Sequence, residues 1–529
     1  MKMIFHTVFQ TVLWLVLSPV VIPAPSVADD LGARLPNIVL LYADDMGYGD
    51  LGVQNPESRI PTPHLDRMAS EGMRFTDAHS SSGICTPSRY ALMTGRFHWR
   101  KFHGIVESFD PPVLDAAEFT LPEMLRERGY RSACIGKWHL GWEWKEILRP
   151  GAVLHRPLSG PRPAQSAADF DWSKPIPGGP LDHGFDYYFG DDVPNFPPYG
   201  WFANDRVLSA MEDFRNITSE TKEGGWEARP GPMAPGWDFY AAGPAMLAGV
   251  EKWIEGQRGQ KDPFFLYLPF NSPHTPIVPS PEFAGSSGAG GYGDFVVQTD
   301  DMAGRILKAL EHHGFSGNTL VVFTADNGPE HFAYQRIRNH RHYSSGKFRG
   351  MKRDLYEGGH RVPFLVKWPG VIEAGTVSPF LFSQVDLMAT FAAVTGAVLP
   401  PGAAPDSYNF LPVWKGEGGG PRQEIIHNTH PDIYAVRKNQ WILVAHPSGS
   451  HSPVPSWYER ESGYSKSTSA GELFDLEADP AQKNNQYDRE PGKVAELTRV
   501  LQRIRANGQV RPDAEPSAVP PPATPPIQK

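Results

Sequence analysis

Residues 37–45 read "NIVLLYADD". An unbroken apolar run ends in two adjacent carboxylates. The run is too short for a typical helix and does not alternate with polar residues, so it reads as a strand covered on both faces. The same pattern recurs in "SACIG" (132–136), "PFFLYLPF" (263–270), "TLVVFTA" (319–325) and "VPFLVKW" (362–368). Amphipathic helical stretches lie between these runs. One is residues 294–314, with Val297, Met302, Ile306 and Leu310 roughly in line and Gly314 as a stop. Another is residues 383–396, stopped by Gly396. Strands alternating with helices predict an α/β fold with a large, mostly parallel central sheet flanked by helices.

Polar residues follow the strands closely. Asp44 and Asp45 follow the first, Lys137 and His139 the second, Asn271 and His274 the third, Asp326 and Asn327 the fourth. Ligands in open α/β sheets gather outside the carboxyl ends of strands, so these groups are expected to converge on one site. Each Asp/Asn pair alone could simply form a turn and cap a helix. Together, three carboxylates and an amide are hard oxygen donors suited to Ca²⁺ or Mg²⁺, whereas zinc favours His and Cys.

The 529 residues carry a formal net charge of -9. That length corresponds to roughly three or four average domains, or one large domain and a smaller one, and the mild acidity does not suggest a nucleic-acid partner. Lys2, the apolar stretch "TVLWLVLSPVVI" and the small-residue pattern Ser26-Val27-Ala28 read as a signal peptide over residues 1–28, cleaved after Ala28, rather than a stable membrane anchor. The expected location is periplasmic or secreted. Asn216-Ile217-Thr218 is a sequon, relevant only on a eukaryotic secretory path.

A catalytic domain is expected over 35–425. Residues 144–240, rich in Pro and Gly, read as extended loops around the site. Within them "YYFGDDVPNFPPYGWF" could stack on a sugar or pack the loop down. Residues 426–508 read as a smaller antiparallel sheet with a helix, and 509–529 as a Pro-rich disordered tail.

The chain has two cysteines. Cys134 lies in an apolar run and reads as a small buried hydrophobe. Cys85 lies in a polar loop before Pro87, Ser88 and Arg89. A helix starting near Pro87 would place it just before a positive helix N-terminus, with Arg89 one turn in, an arrangement suited to an anion.

"CTPSRYALMTGR" (85–96) resembles the signature of the type I, formylglycine-dependent sulfatases of the alkaline-phosphatase-like superfamily. "GYRSACIGKWH" (129–139) resembles that family's second signature. "LYADDMGYGD", "PHTPIVP", "FTADNG", "MKRDLYEGGHRVP" and "ELFDLEADP" follow in the family's order, so the resemblance runs from Pro36 to about Gln486. It implies an arylsulfatase-type sulfuric ester hydrolase. Cys85 would be converted by a formylglycine-generating enzyme to an aldehyde whose hydrate is the nucleophile. Asp44, Asp45, Asp326, Asn327 and the modified Cys85 would hold one Ca²⁺, which orients the sulfate.

The resemblance also implies that Asp326 takes the attacking hydroxyl's proton. Arg89 anchors the hydrated residue, and Lys137 contacts both it and the sulfate. His274 faces the leaving oxygen, Lys352 binds sulfate near the bridging oxygen, and His139 takes the proton that expels sulfate. Lys352, rather than Lys347, precedes the Tyr-Glu-Gly-Gly element at the family's spacing. Lys347 would then line the substrate pocket or be a solvated charge. His64, His79, His98 and His103 match no role and read as structural or surface residues. The implied substrate is a sulfated carbohydrate, of galactose or N-acetylgalactosamine type, or an aryl sulfate. Two alternatives remain: a phosphonate or phosphate ester hydrolase of the same superfamily, and a non-catalytic sulfoglycan-binding protein on the same scaffold.

Overall fold

The computed structural model describes residues 34–154, 165–215, 228–464 and 466–510. The proposed signal peptide, the Asn216 sequon and the tail beyond residue 510 lie outside them. The centre is a ten-stranded sheet. From one edge its order is Thr376–Ser378, Met73–Phe75, Phe364–Lys367, Thr319–Ala325, Asn37–Ala43, Phe264–Pro269, Arg131–Lys137, Tyr187–Asp192, Phe202–Ala203 and Arg206–Val207. The five strands from Thr319–Ala325 to Tyr187–Asp192 run parallel. Their unbroken apolar runs have the reason given above: Ile38 to Ala43 and Leu320 to Ala325 are buried throughout, since helices cover both faces.

Three features depart from the sequence reading. Residues 362–368 do form a strand, but it runs antiparallel to Thr319–Ala325. The stretch 144–240 is not only loop, because Tyr187–Asp192 adds a parallel strand beside Arg131–Lys137. Its aromatics pack rather than present themselves: Tyr188, Tyr199 and Phe202 are buried, and Phe189 stacks on Trp201 at 4.9 Å. The long helix spans Gly290–His312 and buries Phe295, Val296, Met302, Ile306 and Leu310, with Val297 only half-buried. The apolar stripe of a 3.6-residue period is broad enough for this one-residue shift.

Strands Glu424–His430, Ile433–Lys438, Trp441–Val444 and Glu472–Asp475 form a separate antiparallel sheet in that order. The Pro491–Ala506 helix seals it with Leu497, Val500, Leu501 and Ile504. This core also takes in Ala91, Phe97 and Trp99 from and just after the Cys85–Thr94 helix. The C-terminal sheet therefore buttresses the element that carries Cys85.

Candidate active site

The carboxyl ends of the parallel strands place the site. Asp44 and Asp45 leave Asn37–Ala43, and Asp326 and Asn327 leave the neighbouring Thr319–Ala325; all four are buried. Asp45 holds φ 64 and His139 φ 55. Both are in the left-handed region, where a non-glycine residue typically costs about 1–3 kcal/mol and which recurs at functional sites. Gly47 lets the turn pass under a neighbouring loop, since a Cβ there would lie 2.1 Å from the Ser344 carbonyl oxygen. Lys137 is the last residue of its strand. The pairing with Tyr187–Asp192 shifts register between Ile135 and Lys137, at Gly136 with φ 129. A bulge of this kind re-aims the next side chain, here Lys137, out of the ladder.

Cys85 is the first residue of the Cys85–Thr94 helix, not a loop residue before a start at Pro87. All ten residues of that helix are buried, and Gly95 ends it with φ 62. Cys85 feels the charges of Lys137, Lys352, Asp326 and Asp44, yet burial pushes its thiol pKa up. Cys134 is buried and both cysteines are free thiols.

Three cations pair with three carboxylates around Cys85. Arg89 donates from Nη2 to Asp326 Oδ2 at 2.8 Å and from Nε at 3.2 Å. Its Nη2 is also 3.7 Å from Asp44 Oδ1. Lys137 Nζ donates to Asp44 Oδ2 at 2.6 Å, and Lys352 Nζ to Asp45 Oδ1 at 2.6 Å. Asn327 Nδ2 donates to the same Asp45 oxygen at 2.7 Å, which leaves the Asn327 carbonyl oxygen free. Asp44 Oδ1, Asp45 Oδ2 and Asn327 Oδ1 are buried without a hydrogen-bond partner. Orphaned buried oxygens are costly and call for an explanation. A hard divalent cation held by these atoms and Asp326 supplies one, so the donor set fits Ca²⁺.

Burial, then the Asp44 charge, pushes the Asp326 carboxyl up to about 6 in the absence of such an ion. Burial likewise opposes ionisation of Asp45, but Lys352 and His274 outweigh it and hold its carboxyl below the usual range.

The two histidines differ in which nitrogen is open. His139 Nε2 lies 2.8 Å from the Val106 carbonyl oxygen. A carbonyl only accepts, so Nε2 carries the proton and the partnerless, buried Nδ1 carries a lone pair. His274 is the reverse: Nδ1 lies 2.5 Å from the Thr275 carbonyl oxygen, and Nε2 lies 3.7 Å from Asp45 Oδ2. Burial pushes the His274 pKa down to about 3, and burial followed by Lys137 and Arg89 pushes that of His139 well below the usual value.

Asn271, which follows the third strand, turns away to donate to Asp191 Oδ2 at 2.5 Å. Lys347 is exposed. His79 and His98 are buried, His103 bonds Asn428, and His64 is exposed. The sequence reading passed over Glu330, which lies 4.0 Å from Lys352 Nζ and takes both Arg353 Nη1 contacts at 2.7 and 2.8 Å. It also passed over Arg229, whose guanidinium lies 3.7 Å over the Phe196 ring, itself edge-on to His139. Neither has a signal beyond being charged near a motif.

The family model for sulfatases matches residues 36–397. The chain belongs to the sulfatase family. It is therefore an enzyme of sulfate ester hydrolysis with an alkaline-phosphatase-like fold. This sulfatase is 31% identical to an N-acetylgalactosamine-6-O-sulfatase of Bacteroides thetaiotaomicron, over 89% of this chain and 94% of that protein. It is 34% identical to Arylsulfatase A of Homo sapiens, over 89% of this chain and 87% of that protein. A solved B. thetaiotaomicron sulfatase, described for the metabolism of multiple glycosaminoglycans, matches with TM-score 0.74 and 29% identity, covering 89% of this chain and all of that one (100%). A phosphonate monoester hydrolase of Agrobacterium radiobacter shares the fold at TM-score 0.56 and 17% identity, covering 92% and 100% of the two chains. Among the described residues of the sulfatase, no helix is long and apolar enough to cross a membrane.

Proposed function

We propose that this sulfatase removes sulfate from a sulfated carbohydrate of the galactose or N-acetylgalactosamine type, and from aryl sulfates, using a formylglycine made from Cys85 and one bound Ca²⁺. The observation that carries this reading is the charge arrangement around Cys85: three cations, three carboxylates and three orphaned oxygens, all buried. A divalent ion leaves such a centre net positive, matched to a sulfate ester anion. The sugar class rests on the N-acetylgalactosamine-6-O-sulfatase relative. Export by the signal peptide and maturation by a formylglycine-generating enzyme belong to the same reading.

Asp44, Asp45, Asp326 and Asn327 would hold the ion, with the modified Cys85 as a further oxygen donor. The ion supplies Lewis-acid stabilisation of sulfate charge, and the hydrated aldehyde supplies a hydroxyl nucleophile at neutral pH. Burial raises the Cys85 pKa where a reactive thiolate needs it lowered, so the unmodified thiol is a poor nucleophile here. Arg89 and Lys137 would orient the Cys85 side chain and the sulfate, Lys352, paired with Asp45, would bind the sulfate near the bridging oxygen, and Asp326 can take a proton from the attacking hydroxyl. His139, with a free Nδ1 lone pair, suits a base. His274 presents Nε2 beside Asp45; burial keeps that nitrogen unprotonated in the free site, and the negative charge of a bound sulfate ester would favour its protonation, which suits it to the acid role at the leaving oxygen.

Mass spectrometry of the peptide containing Cys85, together with turnover of N-acetylgalactosamine 6-sulfate, galactose 6-sulfate, nitrophenyl sulfate and a phenyl phosphonate, tests the reading. Failure to release sulfate from every sulfate ester, or faster turnover of the phosphonate, would falsify it. Elemental analysis is expected to find about one calcium per chain; stoichiometric zinc instead overturns the hard-donor assignment.

The histidine roles separate by leaving group. His274→Ala should lose about 10²–10⁴ in rate on sugar sulfates, whose alcohols need a proton, and far less on nitrophenyl sulfate. His139→Ala should slow every substrate alike and give a burst of alcohol before a slow steady state. Equal losses for His274→Ala on both substrates, or no burst for His139→Ala, would remove these assignments.

A further inference from the structure

A second cavity, of about 360 Å³, lies between residues 334–356 and the crossover that joins the last two strands of the C-terminal sheet. Tyr334, Arg349, Tyr356, Tyr458, Tyr464 and Glu472 are among its lining residues. Neither Cys85 nor any other residue assigned to catalysis or metal binding lines it. The cavity nonetheless shares a turn with the active site: Lys352 reaches Asp45, while Asp354 lines the cavity. The Asp354 carboxylate accepts from the backbone N–H groups of Met351, His451 and Ser452 at 2.9, 2.7 and 2.9 Å, and the Ser452 hydroxyl donates to the Lys352 carbonyl. The crossover and the Lys352 turn are thus tied together.

Arg349 dominates the cavity chemically. Its guanidinium lies between the rings of Tyr356, at 3.8 Å, and Tyr464, at 4.4 Å. Nη1 donates to the Gln482 carbonyl at 3.1 Å and lies 3.8 Å from Glu472 Oε1. Its Nε and Nη2 have no acceptor among the described residues. A guanidinium clamped on both faces has lost its conformational freedom already, and its open edge is shaped for a sulfate or carboxylate. Glu472 Oε1, at 3.8 Å, is beyond hydrogen-bond reach of Arg349, and its Oε2 accepts from the Tyr356 hydroxyl at 2.6 Å and the Gly449 N–H at 3.0 Å. Lys466 brings a second positive charge, set against the carboxylates of Glu459, Glu472 and Asp354, of which Asp354 has both oxygens taken by backbone N–H groups. Tyr334 and Tyr458, with ring centroids 4.7 Å apart, supply an aromatic wall of the kind that packs on the C–H face of a sugar ring. The volume lies in the lower part of the range for small-molecule sites, roughly 300–1,000 Å³, enough for one sugar unit with its charged group.

We propose that this cavity is an accessory site for an anionic monosaccharide unit, a sulfated or carboxylated sugar, separate from the catalytic centre. The choice of sugar rests on the carbohydrate reading above, and the test separates the two. Full-length protein carrying Cys85→Ala, which cannot turn substrate over, is titrated calorimetrically with N-acetylgalactosamine 6-sulfate. Two binding events are expected. Adding Arg349→Gln should weaken one of them at least about tenfold, the usual size of a lost charge-assisted hydrogen bond. Lys466→Glu, at an exposed position, should weaken the same event and covers the case in which a melting curve shows Arg349→Gln to be misfolded. Unsulfated N-acetylgalactosamine and inorganic sulfate should each bind this site more weakly than the sulfated sugar. A single event in the Cys85→Ala protein that neither Arg349→Gln nor Lys466→Glu weakens overturns the proposal, as do two events unchanged by both substitutions. Inorganic sulfate binding as tightly as the sugar reduces the site to an anion hole and overturns the sugar assignment. Loss of the active-site event alone, with the Arg349-dependent event retained, counts against the substrate reading and for the accessory site.

Discussion

Cys85→Ala is expected to abolish hydrolysis of sugar and aryl sulfates alike, a loss on the order of 10⁴-fold or more, as removal of a covalent nucleophile typically produces. The fold should survive. Cys85 is the first residue of its helix, its sulfur makes no hydrogen bond among the described residues, and the rest of that helix is held by burial of all its residues. Removing one sulfur leaves a small void, costing about 1 kcal/mol, so the melting temperature should stay within a few degrees of the parent. Cys85→Ser should also be inactive in a host whose converting enzyme reads only cysteine. Protein made without conversion should behave like Cys85→Ala, since burial keeps the thiol protonated. Steady-state rates with nitrophenyl sulfate, beside a thermal melt, check this. A folded Cys85→Ala variant retaining even a few per cent of the parent rate would end the nucleophile assignment.

Asp326→Ala should lose activity and stability together. The residue faces Arg89, which is fully buried, through hydrogen bonds at 2.8 and 3.2 Å, and its other oxygen accepts from the Asp45 N–H at 3.1 Å. Deleting the carboxylate leaves the buried guanidinium with the Lys137 carbonyl oxygen, at 3.3 Å, and with Asp44, at 3.7 Å, as its remaining charged partner. Breaking a buried pair from one side costs about 3–5 kcal/mol, largely the penalty of the unpaired charge. The metal should also be lost, because Asp326 is one of its proposed donors, and the rate should fall by at least about 10³-fold. Denaturant melts, calcium content and rates are the measurements. The informative control is Arg89→Met combined with Asp326→Leu. An apolar pair of similar volume should restore much of the stability without restoring any activity. A single Asp326→Ala variant as stable as the parent would show that Arg89 is not held by this pair.

How much was legible beforehand depends on whether the signal was local. Asn37–Ala43 and Thr319–Ala325 were readable because a strand covered on both faces needs an unbroken apolar run, and each run carries its polar pair at its end. Strands Met73–Phe75 and Thr376–Ser378, of three residues each, were not, because three residues show no period. Tyr187–Asp192 was hidden by its Gly and Asp content, which reads as loop although the neighbouring strand recruits it. At the C-terminal end the strands Ile433–Lys438, Trp441–Val444 and Glu472–Asp475 were visible, whereas Glu424–His430 and the packing of the sheet against the residues around Trp99 were not.

The sequence by itself determined the class of fold and singled out the residues proposed to carry the chemistry, since the motif spacings and apolar runs are set within a few neighbouring residues. Only the tertiary structure decided which cation meets which carboxylate, that Asp44, Asp45 and Asn327 each keep one oxygen free, and which nitrogen of His139 and His274 is open. The Arg349 cavity belongs with these, built from segments about a hundred residues apart. The physical reason is common to all of them. A contact such as Asn327 to Asp45 joins positions 282 residues apart, and it exists only after strand order and register have brought the two strand ends together.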